Sequence, residues 1–283
     1  MKPGDAVLVT GASKGIGEAC ALRLHGMGYR VFAGVRDPAA GAALRARTSE
    51  RLVPVRLDVT DEAEVTSAAA EVASRVAAGG LAGLVNNAGI AVAAPLELIP
   101  LADLRRQLEV NVVGQVAVTQ AVLPLLRRAR GRIVFIGSIA GRSSLPMTGA
   151  YSASKFAVEA IAASLRVELR RWGIAVSVVE PGVIATPIWA ASAAAAEERL
   201  GELPAESLAL YRDVIDAARR RVAGNEARGL PPDAVARVVA EALTAARPGA
   251  RYVVGRDARL RLLLERLPWR WRDRLIARAL GRT

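Results

Sequence analysis

Tyr151-Ser152-Ala153-Ser154-Lys155 sets a phenol and an ammonium four residues apart, so a helix brings both to one face. A free tyrosine ionises near pH 10 and is a poor base at neutrality. A lysine ammonium close by favours the phenolate, and a second cation adds to the effect. Lowering the phenol by about 3 units needs about 4 kcal/mol of differential stabilisation, which two close cations in a dry pocket can supply. Such a tyrosine both donates and accepts a proton. Ser138 follows the apolar run ending at Gly137 and can hydrogen-bond a substrate oxygen whose charge changes. Asn111, in a helical segment, has no charge to contribute and suits holding a water or backbone group between Lys155 and solvent. Singly these residues read as a surface pair, a turn serine and a helix amide. Together they point to proton transfer at a carbonyl or hydroxyl oxygen.

A second constellation suggests where another cation comes from. Thr10-Gly11-Ala12-Ser13-Lys14-Gly15-Ile16-Gly17 follows an apolar run and opens a helical pattern. Gly11, Gly15 and Gly17 permit a tight turn, close approach of a pyrophosphate and close packing of helix on strand. Ser13, Lys14 and Ile16 then stand beside the phosphates, at a helix N-terminus whose N–H groups and dipole favour anions. An oxidised nicotinamide bound from this end would be the second cation beside Tyr151. After the second strand the chain reads Ala33-Gly34-Val35-Arg36. An adenosine ribose is usually held there by a carboxylate, which Val35 cannot supply, whereas Arg36 and Lys14 can hold a 2′-phosphate. This favours NADP over NAD; Asp37 swinging back to a ribose hydroxyl is the counter-reading. Asp58, with Val59 after it, is placed to contact the adenine edge or else to cap the next helix.

These groups need a frame of alternating strands and helices. Strand patterns run over Ala6–Thr10, Arg30–Gly34, Leu52–Leu57, Gly83–Val85, Arg132–Gly137, Ala175–Glu180 and Arg251–Val254; helical patterns start near Ile16, Asp61, Leu101 and Tyr151. The expectation is one α/β domain over residues 1–283, a Rossmann-type, doubly wound and mostly parallel sheet with helices on both faces. Loops at the strand C-termini then share one edge, where ligands bind. Residues 188–229, alanine- and charge-rich before Pro231-Pro232, form a helical insertion that can cover substrate or simply face solvent.

Composition narrows the classes. No apolar run approaches the roughly 20 residues of a membrane span, and no signal-like segment opens the chain, so a cytoplasmic protein is expected. Cys20 is the sole cysteine and His25 the sole histidine, which leaves no disulfide and no zinc cluster; both read as structural. Of 39 basic residues 36 are arginine, and residues 251–283 alone hold ten arginines against Asp257, Glu265 and Asp273. The +12 charge is therefore concentrated in a tail without an aromatic-interleaved binding stripe, and nucleic acid is not expected as a partner.

Together these motifs resemble the classical short-chain dehydrogenase/reductase family, in its NADP-leaning members. The resemblance runs from about Ala6 to Thr186 and includes Thr10–Gly17, Asp58, Asn86-Asn87-Ala88-Gly89, Asn111, Ser138, Tyr151–Lys155 and Pro181-Gly182 with Thr186. It implies a seven-stranded sheet, Tyr151 as acid/base, Lys155 on the nicotinamide ribose, Ser138 orienting substrate and Asn111 in a proton relay. It further implies that Asn87, Ala88 and Gly89 line the cofactor cleft. Pro181, Gly182, Val183 and Thr186 meet the nicotinamide region. Subunits of the family usually pair through helices beside the active site, so a homodimer or homotetramer is expected.

The expected function is NADP-dependent interconversion of a hydrophobic primary or secondary alcohol with its aldehyde or ketone. An epimerase, a dehydratase-like enzyme or a nucleotide-sensing protein on the same fold is the alternative. Ala91 to Pro95, Ile139, Leu145, Met147, Val183, Ile188 and Trp189 should border the pocket, with Arg142 the only nearby cation. Val179–Gly182 and Gly255-Arg256-Asp257 resemble the retinoid- and steroid-oxidising branch, in keeping with a lipophilic substrate. Residues 256–283 read as a basic amphipathic extension. It can pack on its own subunit or on a neighbour, or rest on an anionic membrane as a peripheral contact.

Overall fold

A computed structural model describes residues 1–279, with the side chains at 77 and 225–227 left aside; residues 280–283, the end of the basic extension, lie outside the described residues. Seven strands form one sheet: β1 (Ala6–Val9), β2 (Arg30–Val35), β3 (Leu52–Arg56), β4 (Gly83–Asn86), β5 (Arg132–Ile136), β6 (Ala175–Pro181) and β7 (Arg251–Val254). Their order is β3-β2-β1-β4-β5-β6-β7, and all six pairings are parallel. The sheet is thus wholly, not mostly, parallel. A parallel sheet must be covered on both faces, and β1 shows how. Val7 and Val9 point into one core with Cys20 and Leu24 of α1 (Gly15–Gly26) and Val235, Val239 and Leu243 of α9 (Pro232–Thr244). Ala6 and Leu8 point into the other, with Val65 and Val72 of α3 (Glu62–Val76), Val118, Val122 and Leu126 of α5 (Gly114–Ala129), and Val158 and Ala162 of α6 (Gly149–Glu168).

Helix α2 (Pro38–Ala46) was not expected from periodicity. Its signal is local: Asp37 accepts from the Ala39 N–H at 2.9 Å and Pro38 opens the first turn. The helix begun at Leu101 is also not uniform. α4 (Leu101–Leu108) passes into α5 through a π-helical turn over Glu109–Val113, which holds Asn111.

This continuous stretch, Leu101–Ala129, corrects the expectation that no run suits a membrane, since among the described residues it is long and apolar enough to cross one. Its buried side chains, among them Val118, Val122 and Leu126, join the core with α3 and α6, and 39% of its most apolar stretch is buried. After β6 come α7 (Pro187–Gly201) and α8 (Ala205–Arg228), whose facing sides bury Leu200, Val214 and Ile215 around Met147. After β7, α10 (Arg256–Leu264) and α11 (Trp269–Ala279) end the described chain.

Candidate active site

β1 to β6 bring their C-terminal ends to one edge of the sheet, where a cleft of about 760 Å³ opens. The chain reverses its walk across the sheet between β1 and β4, so the loops after these strands flank the cleft as separate lips. They are tied together. Thr10 Oγ1 accepts from the N–H groups of Asn87 and Ala88 at 2.9 Å each, and Asn87 Nδ2 donates to the carbonyls of Thr10 and Gly11 at 2.8 and 3.1 Å. Gln115 holds the Ala88 carbonyl from below at 3.0 Å.

The glycines are required by contact as well as conformation. Gly11 has φ +62°, and a Cβ there would lie 2.9 Å from Ala88 Cα; at Gly17 it would lie 2.2 Å from the Gly11 carbonyl oxygen. α1 begins after Lys14 with no side-chain cap, so its first N–H groups stay free at the cleft. A cradle of free N–H groups with no side chain in the way fits a dinucleotide pyrophosphate. Gly11, Ser13, Lys14, Gly15, Ile16, Arg36, Asp58, Val59, Asn87, Ala88 and Gly89 line this half of the cleft, and Gly17 lies behind it as a packing contact.

Hydrogen bonds engage the two carboxylates beside the cleft. The Asp37 carboxylate is engaged in capping α2, while Arg36 lines the cleft. The first turn of α3 is capped by Asp61, which accepts from Ala63 and Glu64 at 2.9 and 3.0 Å. Asp58 is not that cap; it accepts from the N–H and hydroxyl of Thr60 at 3.0 and 2.8 Å. Burial opposes its charge, but the Thr60 bonds and the nearby Arg36 outweigh burial and hold its carboxyl below the usual value.

At the other half, Ser138, Tyr151 and Lys155 converge on the cleft floor with Pro181, Gly182 and Thr186. β5 ends beside α6, whose first turns carry Tyr151 and Lys155. Tyr151 hydrogen-bonds Ser138, and Ser138 Oγ also accepts from the Ala140 N–H at 3.1 Å. Lys155 Nζ donates to the Ile136 carbonyl at 2.7 Å and lies 5.7 Å from the centre of the Tyr151 ring. Trp189 of α7 meets that ring edge-on at 5.8 Å. Burial pushes the Tyr151 phenol above its ordinary value, against the Ser138 hydrogen bond and the positive charge of Arg261. Burial also pushes Lys155 down to about 8. In a dry site both charged forms are penalised first, so the two cations expected to lower the phenol act against that penalty.

Asn111 lies behind the cleft. Its Oδ1 accepts from Ile90 N–H at 2.8 Å, while Nδ2 donates to the Ile90 carbonyl at 3.0 Å and to Ser154 Oγ at 3.1 Å. Gln107, one turn earlier, accepts from Val92 N–H at 2.7 Å and donates to the Ile90 carbonyl at 2.9 Å. These amides fix the loop after β4, at 90–92, to α6, a role the sequence reading gave to neither Gln107 nor Ser154. Their signal was present, because Gln107 and Asn111 are four apart on one helical face.

Val183 is drawn away from the cleft: its N–H donates to Asp257 Oδ2 at 2.7 Å and its carbonyl accepts from Leu230 at 3.0 Å. Asp257, in the first turn of α10, thereby fixes the loop after β6. Nothing local in the sequence announces a contact so distant along the chain.

Of the expected pocket border, Ala91, Val92, Ile188 and Trp189 line the cleft. Ala93, Ala94, Pro95, Ile139, Leu145 and Val183 do not. Met147, held at φ +69°, packs instead under α7 and α8. Arg142 is paired with the buried Glu180 at 3.3 Å; Arg105, Arg106 and Arg199 line the cleft, and the positive charge that bears on the Tyr151 phenol is that of Arg261, which the sequence reading did not single out.

Residues 5–197 match the family model described as short chain dehydrogenase. The 3-amino-tetrahydro-pyrrolizinone reductase of Xenorhabdus hominickii is 37% identical over 90% of this chain and 88% of its own. Retinol dehydrogenase 5 of Mus musculus is 37% identical over 90% and 81%, and the NADPH-dependent 3-dehydrocapnine reductase of Ornithobacterium rhinotracheale 37% over 87% of each. Among solved structures, a short-chain dehydrogenase from Streptomyces avermitilis superposes with a TM-score of 0.79 at 29% identity, covering 93% and 92% of the two chains. One from Burkholderia cenocepacia in complex with NADP gives 0.73 at 26%, covering 99% of each.

The depressed Lys155 ammonium sets a pH limit. As pH rises through about 8 it loses its proton, and with it the charge that favours an ionised neighbour. For carbonyl reduction, kcat/KM measured from pH 6 to 10 should fall above about pH 8. Lys155→Met should abolish that limb together with most of the activity. A profile flat to pH 10 would remove the Lys155 charge from the chemistry.

Proposed function

The chain belongs to the short chain dehydrogenase family, and we propose that within it the protein is an NADP-dependent oxidoreductase for a hydrophobic alcohol and its ketone or aldehyde. The observation that carries this reading is the Ser138–Tyr151 hydrogen bond beside Lys155, on the floor of a cleft whose other half is a phosphate cradle. A dinucleotide held there supplies the hydride to a carbonyl carbon, or accepts one from the alcohol carbon. In reduction Tyr151 gives its proton to the carbonyl oxygen and in oxidation it takes one back; Ser138 hydrogen-bonds the same oxygen. Lys155 holds the nicotinamide ribose and contributes its charge to the phenol. Asn111 keeps the Ile90 backbone and Ser154 in place behind it, and Pro181, Gly182, Val183 and Thr186 shape the loop over the ring.

NADP is favoured because Arg36 stands in the cleft, Val35 offers no carboxylate and Asp37 is occupied at α2. In keeping with this, the 3-dehydrocapnine reductase is NADPH-dependent and the Burkholderia cenocepacia structure holds NADP. The insertion at 188–229 serves as the substrate cover, latched on the far lip by the Arg199–Asp103 ion pair at 2.6 Å and the Tyr211–Glu97 hydrogen bond. It places Trp189 on Tyr151 and excludes water from the proton transfer.

Two surfaces extend the proposal. Val113 and Phe156 stand half-exposed on the helices flanking the site, an apolar face suited to pairing with a second copy. On the extension, Leu260, Leu263, Trp269, Trp271 and Leu275 are exposed among arginines, a face suited to the surface of an anionic bilayer as a cytoplasmic enzyme meets it.

Tyr151→Phe should reduce turnover of lipophilic ketones by about a thousandfold or more while NADPH still binds, and NADPH should bind more tightly than NADH. Undiminished turnover overturns the mechanism, and tighter NADH binding overturns the reading of Arg36. Sedimentation should give a dimer or tetramer that Phe156→Glu dissociates; a wild-type monomer refutes the pairing. Vesicles containing phosphatidylglycerol should carry the protein on flotation, and Trp271→Glu with Leu275→Glu should release it. Wild-type protein left behind in the soluble fraction excludes the membrane contact.

A further inference from the structure

We infer that Arg261 and Arg221 form a receptor for an oxyanion carried by the substrate. The natural substrate is then an alcohol or ketone with an apolar body and a carboxylate, sulfonate or phosphate at one end. This rests on Tyr151 being the residue that meets the reacting oxygen.

The pair is assembled from two distant segments. Val214, Ile215 and Ala218 mark the inward face of α8, and Arg221 follows at three and seven residues beyond Ala218 and Val214, on the same face. It is partly buried, and among the described residues it has no hydrogen bond or ion pair. α10 brings in Arg261, whose Nη2 donates to the carbonyl of Ser143, at the end of the loop that begins with Ser138. Its Nε is buried with no partner. Arg261 is close enough to Tyr151 for its charge to bear on the phenol, and close enough to Arg221 for the two cations to repel.

The carboxylates near Arg261 are engaged elsewhere. Glu265 accepts from Arg272 at 2.8 Å, and Asp257 accepts from Val183 N–H at 2.7 Å. Burial depresses the pKa of both Arg261 and Arg221, and mutual repulsion adds to this at Arg261. Two guanidinium groups half-withdrawn from water and repelling one another are costly; Glu265 and Asp257 offset part of that cost at Arg261 and no carboxylate is found to do so at Arg221 among the described residues, so an oxyanion arriving between them would remove the repulsion and meet the unmatched Arg261 Nε. Ile188, Trp189 and Val92 supply the apolar wall for the rest of such a molecule.

The test uses the full-length protein loaded with NADPH and a matched pair, a long-chain keto acid and its methyl ester. The acid should be reduced with kcat/KM about tenfold or more above the ester, as one charged hydrogen bond allows. Arg261→Leu and Arg221→Leu should each bring that ratio close to one, and Arg221→Lys should retain part of it. A wild-type ratio near one, or a ratio unmoved in both leucine variants, overturns the inference.

Binding is read separately, by the melting temperature of the NADP-loaded protein with laurate or dodecanol. Laurate should protect the wild type more than the Arg221→Leu/Arg261→Leu variant, and dodecanol should protect both alike. Laurate protection without reduction of either ketone supports the anion site and refutes the redox reading. Reduction of acid and ester alike without laurate protection does the reverse. With no ligand added, Arg221→Leu should melt no lower than wild type, since it relieves a repulsion; a marked drop would mean that Arg221 serves packing, and would overturn its assignment to the receptor.

Discussion

At Gly17, α1 lies so close to the preceding loop that a side-chain carbon there would come within 2.2 Å of the Gly11 carbonyl oxygen. Much else follows from this approach. It aims the uncapped start of α1 into the cleft, and it leaves the Gly11 carbonyl within reach of Asn87. The loop after β1 and the loop after β4 are thereby joined through Thr10 and Asn87, although 77 positions separate those two residues in the chain. The same helix is anchored from behind by α9 through Cys20, Leu24, Val239 and Leu243, so the cleft edge inherits its rigidity from the core.

The chemical half obeys a different constraint. Burial disfavours the ionised form of Tyr151 and the protonated form of Lys155 alike, so below about pH 8 the ammonium carries the charge of this pair and the phenol stays neutral. Hydrogen bonds then determine orientation: Ser138 on the phenol, Ile136 on the ammonium, Ser154 on the Tyr151 carbonyl at 2.7 Å. The Trp189 ring meets Tyr151 edge-on, and Tyr151 itself is buried. Preorganised dipoles in a dry pocket act more strongly on developing charge than the same groups in water.

How much of this could be read beforehand depended on how local the cause was. Strand limits came within a residue or so of Arg30–Val35, Arg132–Ile136 and Arg251–Val254 because apolar runs bounded by turn residues encode them. The glycine turn and the Tyr151–Lys155 spacing were legible for the same reason. The short α2 escaped notice, since nine residues hold little periodicity, and the π-helical turn around Asn111 has no period of its own. A count of long apolar runs missed the composition of Leu101–Ala129, whose apolar residues are spread among charged ones and are only in part taken up by the core. The engagement of Asp37, the partners of Asn111 and the arrival of Arg261 beside Tyr151 are tertiary facts. No window along the chain contains them.

Asp257 is a further contact of that kind. Every residue placed at the chemical floor lies before position 187, yet the turn at Gly182 and Val183 is held by a carboxylate more than seventy residues later. β7, which precedes that carboxylate, also adds the last strand beside β6. During synthesis, therefore, a ribosome has already released the phenol, the ammonium and the glycine turn while the loop over them has no anchor. The nascent chain remains an incomplete catalyst until Asp257 emerges, and an arrest or cleavage before that point leaves a fragment with the reactive groups and no finished pocket.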